Sequence, residues 1–157
     1  MKLIPNQDGL LDISIGESGG IVSETTIETA LLSSLLLNRR ADLTDPLPYG
    51  YKGKTGALTD DRQGWVGDIF DDKGRLVGSK LWLLDQELAT NENRLRAHEY
   101  IRQATQWSID DGYVSKIDII DEWSGQDRLN IKVTFHMTNG QRFNLKFNYE
   151  TGDVYVL

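Results

Sequence analysis

The 157 residues are enough for one domain with its own core, and 39% hydrophobic with 26% charged residues is ordinary for a soluble globular chain. Seventeen Lys and Arg against 24 Asp and Glu leave a formal net charge of −7. That balance argues against a general grip on nucleic acid or on an anionic membrane surface and points to protein partners, while the absence of cysteine excludes disulfides, thiolate metal sites and a cysteine nucleophile.

From the N-terminus, Pro5 and Asp8 stand where a secretory signal would carry a continuous apolar core, and no run is long enough to cross a bilayer. Leu10 to Ile15 reads as a short strand, with Leu11, Ile13 and Ile15 alternating with polar neighbours before Gly16 breaks it. After a Gly/Ser loop from Glu17 to Ser23, a helix is expected with Thr25 as N-cap and Glu28 three residues on, a capping box. Ile27, Ala30, Leu31, Ser34 and Leu35 share one face. Leu32, Leu36 and Leu37 fall outside that stripe, so the helix should be enclosed by its own fold or by another chain, with Leu32 and Leu36 the candidate contact residues. Asn38, Arg39 and Arg40 close it, where cations suit the negative end of the helix dipole. For the two arginines, capping and partner binding are both open readings.

The loop 41–63 holds Pro46, Pro48, Gly50, Gly53 and Gly56 and reads as a long connection. The stretch Gly64 to Leu84 follows, with Trp65 and Trp82 between the glycine corners Gly64, Gly67, Gly74 and Gly78. Both rings are expected to anchor it, Trp82 the more deeply, and Ser79 to cap a helical turn before Leu81. A second helix is expected over Asn91 to Asp110, with Ala97, Tyr100, Ile101, Ala104 and Trp107 at helical spacing and Asp110-Asp111-Gly112 as its end.

The last third alternates strictly. Leu129, Ile131, Val133, Phe135 and Met137 are apolar at odd positions, and Phe143, Leu145, Phe147 and Tyr149 repeat the pattern. A two-residue Asn139-Gly140 turn would put the two apolar sets on opposite faces. A three-residue loop, Thr138-Asn139-Gly140, with Gly140 left-handed, instead sets Phe135 opposite Phe143 and Val133 opposite Leu145. The same logic at Glu150-Thr151-Gly152 sets Tyr155 opposite Phe147, and the strand from Val114 to Trp123 places Ile117 and Ile119 on the shared face. The expected fold is α+β: a single domain over 1–157, with an antiparallel β-meander over 113–157 packed against the N-terminal and central helices.

Catalytic chemistry is sparse. His98 and His136 are the only histidines and have no clustered carboxylates, so no metal site is expected. Asp60-Asp61, Asp71-Asp72 and Asp110-Asp111 lack the ligand spacing of calcium loops. A glycosidase needs two carboxylates across a cleft; Glu99, Glu122 and Asp68 are the nominees, and spacing along the chain places no pair. No phosphate-cradling glycine loop or nucleophile elbow is present.

Four segments carry a resemblance: Leu35-Leu36-Leu37-Asn38-Arg39-Arg40-Ala41, Gly64-Trp65-Val66-Gly67-Asp68, Gly78-Ser79-Lys80-Leu81-Trp82-Leu83-Leu84, and the helix with Arg96-Ala97 and Tyr100. In this order the chain resembles the Mu-like phage baseplate protein family, related to the lysozyme-like wedge proteins of contractile tails, over roughly Thr25 to Gly112. It departs where the family often has a second tryptophan, at Val66, and an arginine pair, at Asp61-Arg62-Gln63. The resemblance implies a non-enzymatic structural subunit of the virion tail baseplate, made in the bacterial host cytoplasm, joining wedge proteins and starting the sheath, with no cofactor. Its implied partners are wedge, sheath or tube proteins and further copies of itself. Partner contacts are assigned to Leu32, Leu36, Arg39, Arg40, Trp65, Asp68, Val154 and Val156. Val154 and Val156 are chosen because Asp153 to Leu157 has no wet face and ends the meander, where an open edge invites an added strand. The alternative is a lysozyme-like peptidoglycan hydrolase.

Overall fold

The computed structural model describes residues 3–5, 11–13, 26–48, 61–65, 68, 74–84, 90–124, 128–148 and 154–157. The expectations for Thr25, the loop 17–23, and Gly67 lie outside them. The described elements run β1 (Leu3–Pro5), β2 (Leu11–Ile13), α1 (Ile27–Leu36), a 3-10 turn (Leu81–Leu84), α2 (Asn91–Asp110), β3 (Val114–Ser124), β4 (Arg128–Met137), β5 (Arg142–Asn148) and β6 (Val154–Val156). The fold class is α+β, with the four-stranded antiparallel meander β3-β4-β5-β6 at the C-terminal end. The chain divides into two compact units, Met1–Leu32 with Gln106–Leu157, and Ser33–Thr105.

In the first unit, β1 and β2 pair as an antiparallel ribbon, Leu3 opposite Ile13. The meander has the register that parity requires: Phe135 faces Phe143, Val133 faces Leu145, Ile117 faces Phe135 and Ile119 faces Val133. The three-residue loop is present, since Gly140 has φ 86° and donates its N–H to Met137 O at 3.0 Å, while Met137 N–H donates to Gln141 O at 2.9 Å. Ile131, Val133, Phe135, Met137 and Leu145 are all buried, and the Phe135 and Phe143 rings stack at 6.1 Å.

At β6 the register differs from expectation by one residue: Val154 faces Phe147, Lys146 faces Tyr155 and Leu145 faces Val156. Four consecutive apolar residues carry no parity signal, and the ladder resolves the choice by turning the two valines to the core side and Tyr155 to the polar one. Val154 is accordingly buried. β6 thus does have a wet face, contrary to the reading from sequence.

Helix α1 begins one residue later than expected. Thr26 caps it, with its Oγ1 accepting from Thr29 N–H at 3.3 Å and its carbonyl from Ala30 N–H at 3.1 Å. Glu28 therefore sits one position short of the capping-box site. Thr90 caps α2 in the same way, through Asn93 N–H at 3.2 Å. Gly112, φ 78°, ends α2 with its N–H on Ile109 O at 2.9 Å, a left-handed C-terminal cap. Ala97, Tyr100, Ile101 and Ala104 form the buried stripe of α2.

Candidate functional site

The second unit gathers three of the segments that carry the resemblance. Helix α1 stops at Leu36, and its terminal carbonyls find donors on a segment about forty residues further along. Ser79 N–H donates to Leu37 O at 2.8 Å, Arg39 N–H to Ser79 O at 2.9 Å, and the buried Ser79 hydroxyl to Leu35 O at 2.8 Å. Asn38 and Ser79 form a parallel bridge. This leaves no room at Gly78: its φ is 98°, and a Cβ there would lie 2.4 Å from Leu37 O and 2.8 Å from Arg39 N. Ser79 is thus a C-cap for α1 as much as a start signal for Leu81–Leu84.

Around this interlock lies a polar ring. Trp82 is partly buried and its indole N–H donates to Arg39 O at 2.8 Å. Lys80 is only 7% exposed and places Nζ 2.6 Å from both Asp42 and Asp45. Burial works against the Lys80 charge, but the hydrogen bonds to Asp42 and Asp45 overcome it and raise its pKa above the usual lysine value. Burial likewise works to raise the Asp45 pKa; the Lys80 hydrogen bond and the Asp42 N–H, at 2.7 Å, bring it below the ordinary aspartate value. The chain from 61 to 65 runs back along this cluster. Ala41 N–H donates to Arg62 O at 2.9 Å, Arg62 donates to the carbonyls of Asp42 and Leu43, and the Asn38 amide donates to the Gln63 side chain. Gln63 takes φ 54°, and Gly64 lies against the Arg40 stem.

The residues singled out from sequence fall as follows. Leu36 is 41% exposed at the end of α1, whereas Leu32, at 2%, packs inside the protein. As a contact residue Leu32 is therefore corrected: the buried face of α1 is wide enough to take it in. Arg39 has its backbone bonded on both sides and its Nε buried with no hydrogen-bond partner. Arg40 is exposed and donates from Nη1 to Gln63 O at 3.2 Å. Trp65 is 47% exposed, which corrects the expectation that it anchors a core; Trp82 alone of the two rings is well packed. Asp68 accepts from Val77 N–H at 2.9 Å and so ties its own segment to the one leading into Gly78. Leu36, Arg39, Arg40, Trp65 and Asp68 all belong to the unit Ser33–Thr105, while Val154 and Val156 belong to the other. The interlock at Gly78 and the Lys80 ion pairs were missed from sequence; a lone lysine heading an apolar run with two aspartates on a proline-rich loop was the available signal for the latter.

The carboxylates nominated for hydrolysis are each engaged locally. Glu99 accepts from Gln103 at 3.1 Å on α2, Glu122 pairs with Lys146 at 3.2 Å on the polar face of the sheet, and Asp68 holds Val77. His136 sits 2.8 Å from Asp118, whose pKa is lowered by its hydrogen bonds first to Lys116 and then to His136. Among the described residues no group of three or more His, Cys, Asp or Glu could hold a metal ion, and no helix is long and apolar enough to cross a membrane.

A family model described as phage protein GP46 matches residues 27–142, from the first residue of α1 to the first of β5. The chain belongs to the phage protein GP46 family. It is 33% identical over 127 residues to the baseplate protein gp46 of Escherichia phage Mu, covering 81% of each chain. It is also 36% identical over 66 residues to the Mu-like prophage FluMu protein gp46 of Haemophilus influenzae, covering 42% of this chain and 48% of that one. The family span contains the whole α1 terminus, the Gly78 interlock and α2, and stops before β6.

Proposed function

We propose that this chain is a structural subunit of a contractile phage or prophage tail baseplate, without enzymatic activity, located in the virion tail and made in the bacterial host cytoplasm. The observation that carries this reading is the 33% identity to the Mu baseplate protein over 81% of both chains. Within that role the chain joins wedge proteins and starts the tail sheath, and kinship with the lysozyme-like wedge proteins is part of the same proposal. The exposed Leu36, Arg40 and Trp65 suit a wedge contact: an apolar tip and ring beside a guanidinium, on backbone already held by internal hydrogen bonds. β6 suits strand addition, because among the described residues its ladder partner is β5, although β2 comes close to it. We further propose that the two units fold as one domain, since the division between them falls inside α1 and inside α2 rather than in a linker.

Complementation of a tail-producing strain that lacks this gene tests the role. The wild-type gene restores complete baseplates; deletion of Val154 to Leu157 yields baseplates on tubes without sheath. Normal sheathed tails from that deletion would refute the sheath-starting part, and tails that assemble without the gene would refute the whole. Clearing of a peptidoglycan suspension by the purified protein, lost on Glu99→Gln or Glu122→Gln, would replace it with the hydrolase reading.

A further inference from the structure

One row of the meander is built against its own stability. On the face opposite the buried Ile131, Val133 and Phe135, Ile120 of β3 faces Lys132 of β4, Lys132 faces Lys146 of β5, and Lys146 faces Tyr155 of β6. Two lysines thus stand directly opposite each other on strands about 4.8 Å apart, and like charges in that position destabilise a sheet. Further along the same face Lys116 and His136 lie 2.7 and 2.8 Å from Asp118. Lys146 has Glu122 at 3.2 Å, but Lys132 has no ion pair or hydrogen bond among the described residues. The row ends in Ile120, 56% exposed, on one side and in the part-exposed Tyr155 on the other.

Opposed lysines between an isoleucine and a tyrosine left in water give up stability with no gain inside the fold, and such departures mark functional positions. Cations flanked by apolar and aromatic side chains are complementary to a protein surface that carries carboxylates. The net charge of the whole chain is −7, so this row is a local exception to it. Nucleic acid fits less well, because Asp118 and Glu122 stand on the same face and repel a phosphate backbone. Two copies meeting face to face here would bring their lysine rows together, which excludes an isologous contact. We infer that the wet face of the meander, centred on Lys132 and Lys146, docks an acidic segment of a different protein, one with paired carboxylates between apolar residues. All four residues of the row lie within one compact unit. The place of this contact in a tail rests on the baseplate reading; the docking itself is measured without it.

The test is fluorescence anisotropy of a labelled peptide of repeated Leu-Glu-Glu-Leu, titrated with the purified full chain. The peptide binds at low salt and releases as salt rises, whereas a matching Leu-Lys-Lys-Leu peptide does not bind. Lys132→Glu removes the opposed like charges, so it melts at or above the wild-type temperature, yet it binds the acidic peptide about tenfold more weakly. Glu122→Gln frees Lys146 and tightens binding about twofold, a gain that a merely structural role for the lysines would not give. A wild type that does not bind the peptide, or a Lys132→Glu variant that melts well below it or binds equally well, would overturn the proposal. Tighter binding of a DNA duplex than of the peptide, or self-association that Lys132→Glu abolishes, gives the face another occupant and overturns it too. If the peptide fails to bind while the gene still restores tails, the docking surface falls and the baseplate role stands; if the peptide binds but tails assemble without the gene, the reverse follows.

Discussion

Replacing Gly78 by alanine isolates the interlock at the end of α1. The methyl group would meet the Leu37 carbonyl oxygen at 2.4 Å and the Arg39 nitrogen at 2.8 Å, and both are backbone, so no side-chain rotation relieves the clash. The φ of 98° adds strain of about 1–3 kcal/mol for any residue with a Cβ. Separation of the two segments then breaks three hydrogen bonds, Ser79 N–H to Leu37, Arg39 N–H to Ser79, and the Ser79 hydroxyl to Leu35, at about 0.5–1.5 kcal/mol each. Partial relaxation keeps the total near 3–5 kcal/mol, or a fall in melting temperature of about 2–4 °C for each kcal/mol. Gly140→Ala is the matched control: its φ is 86°, but a Cβ there has nothing within 4 Å, so only the backbone strain applies. Urea unfolding of both variants, at equal m-values, should place Gly78→Ala at least about 2 kcal/mol below Gly140→Ala. Equal losses would show that the close approach of the two segments does not hold in solution.

Trp82→Ala should destabilise by about 3 kcal/mol through lost packing and the lost bond to Arg39 O, whereas Trp65→Ala should stay within about 0.5 kcal/mol, both read by thermal unfolding. Acid titration of stability tests the Lys80 cluster. Asp45 has a folded pKa below its unfolded value of 3.8, so its contribution is complete above that value and is lost as the pH falls through the folded pKa. Asp45→Asn should therefore be less stable than the wild type at pH 7, with the gap closing below pH 3.8; a gap independent of pH would refute the ion pair. Lys80 has a pKa raised above 10.5, so its contribution is complete below 10.5 and fades only as the pH rises through the folded value, which leaves neutral pH on the plateau of both groups. A single cooperative transition seen alike by tryptophan fluorescence and far-ultraviolet dichroism is expected if the two units form one domain.

Periodicity carried the local structure well. Helix α2 spans the expected Asn91–Asp110, and the β4–β5 register followed from the single requirement that two apolar faces coincide. The signal failed where it was degenerate. Thr25 and Thr26 are adjacent candidates for one cap, and Val154 to Leu157 has no alternation from which a register could be chosen. Long-range backbone recognition leaves still less trace: the bond from Ser79 to Leu37 joins residues far apart in sequence, and only the glycine before Ser79 hints at a close approach. Of the residues proposed as contacts, Arg39 and Arg40 were singled out at the end of a helix and Trp65 as a rare residue between glycine corners. That they share a compact unit depends on the turn back at Arg62 to Gly64, where Gln63 adopts a positive φ that its side-chain type does not announce.

The bond from Ala41 N–H to Arg62 O bears on how the chain between them tolerates change in length. Because its two ends are already joined, residues added there enlarge a closed loop, and the entropy of closing a loop grows only with the logarithm of its size. Doubling it costs about 0.6 kcal/mol, less than the loss of one well-formed cap. An epitope or fluorophore-binding peptide inserted between Ala41 and Arg62 would thus leave the α1 terminus clamped while giving the protein a visible handle.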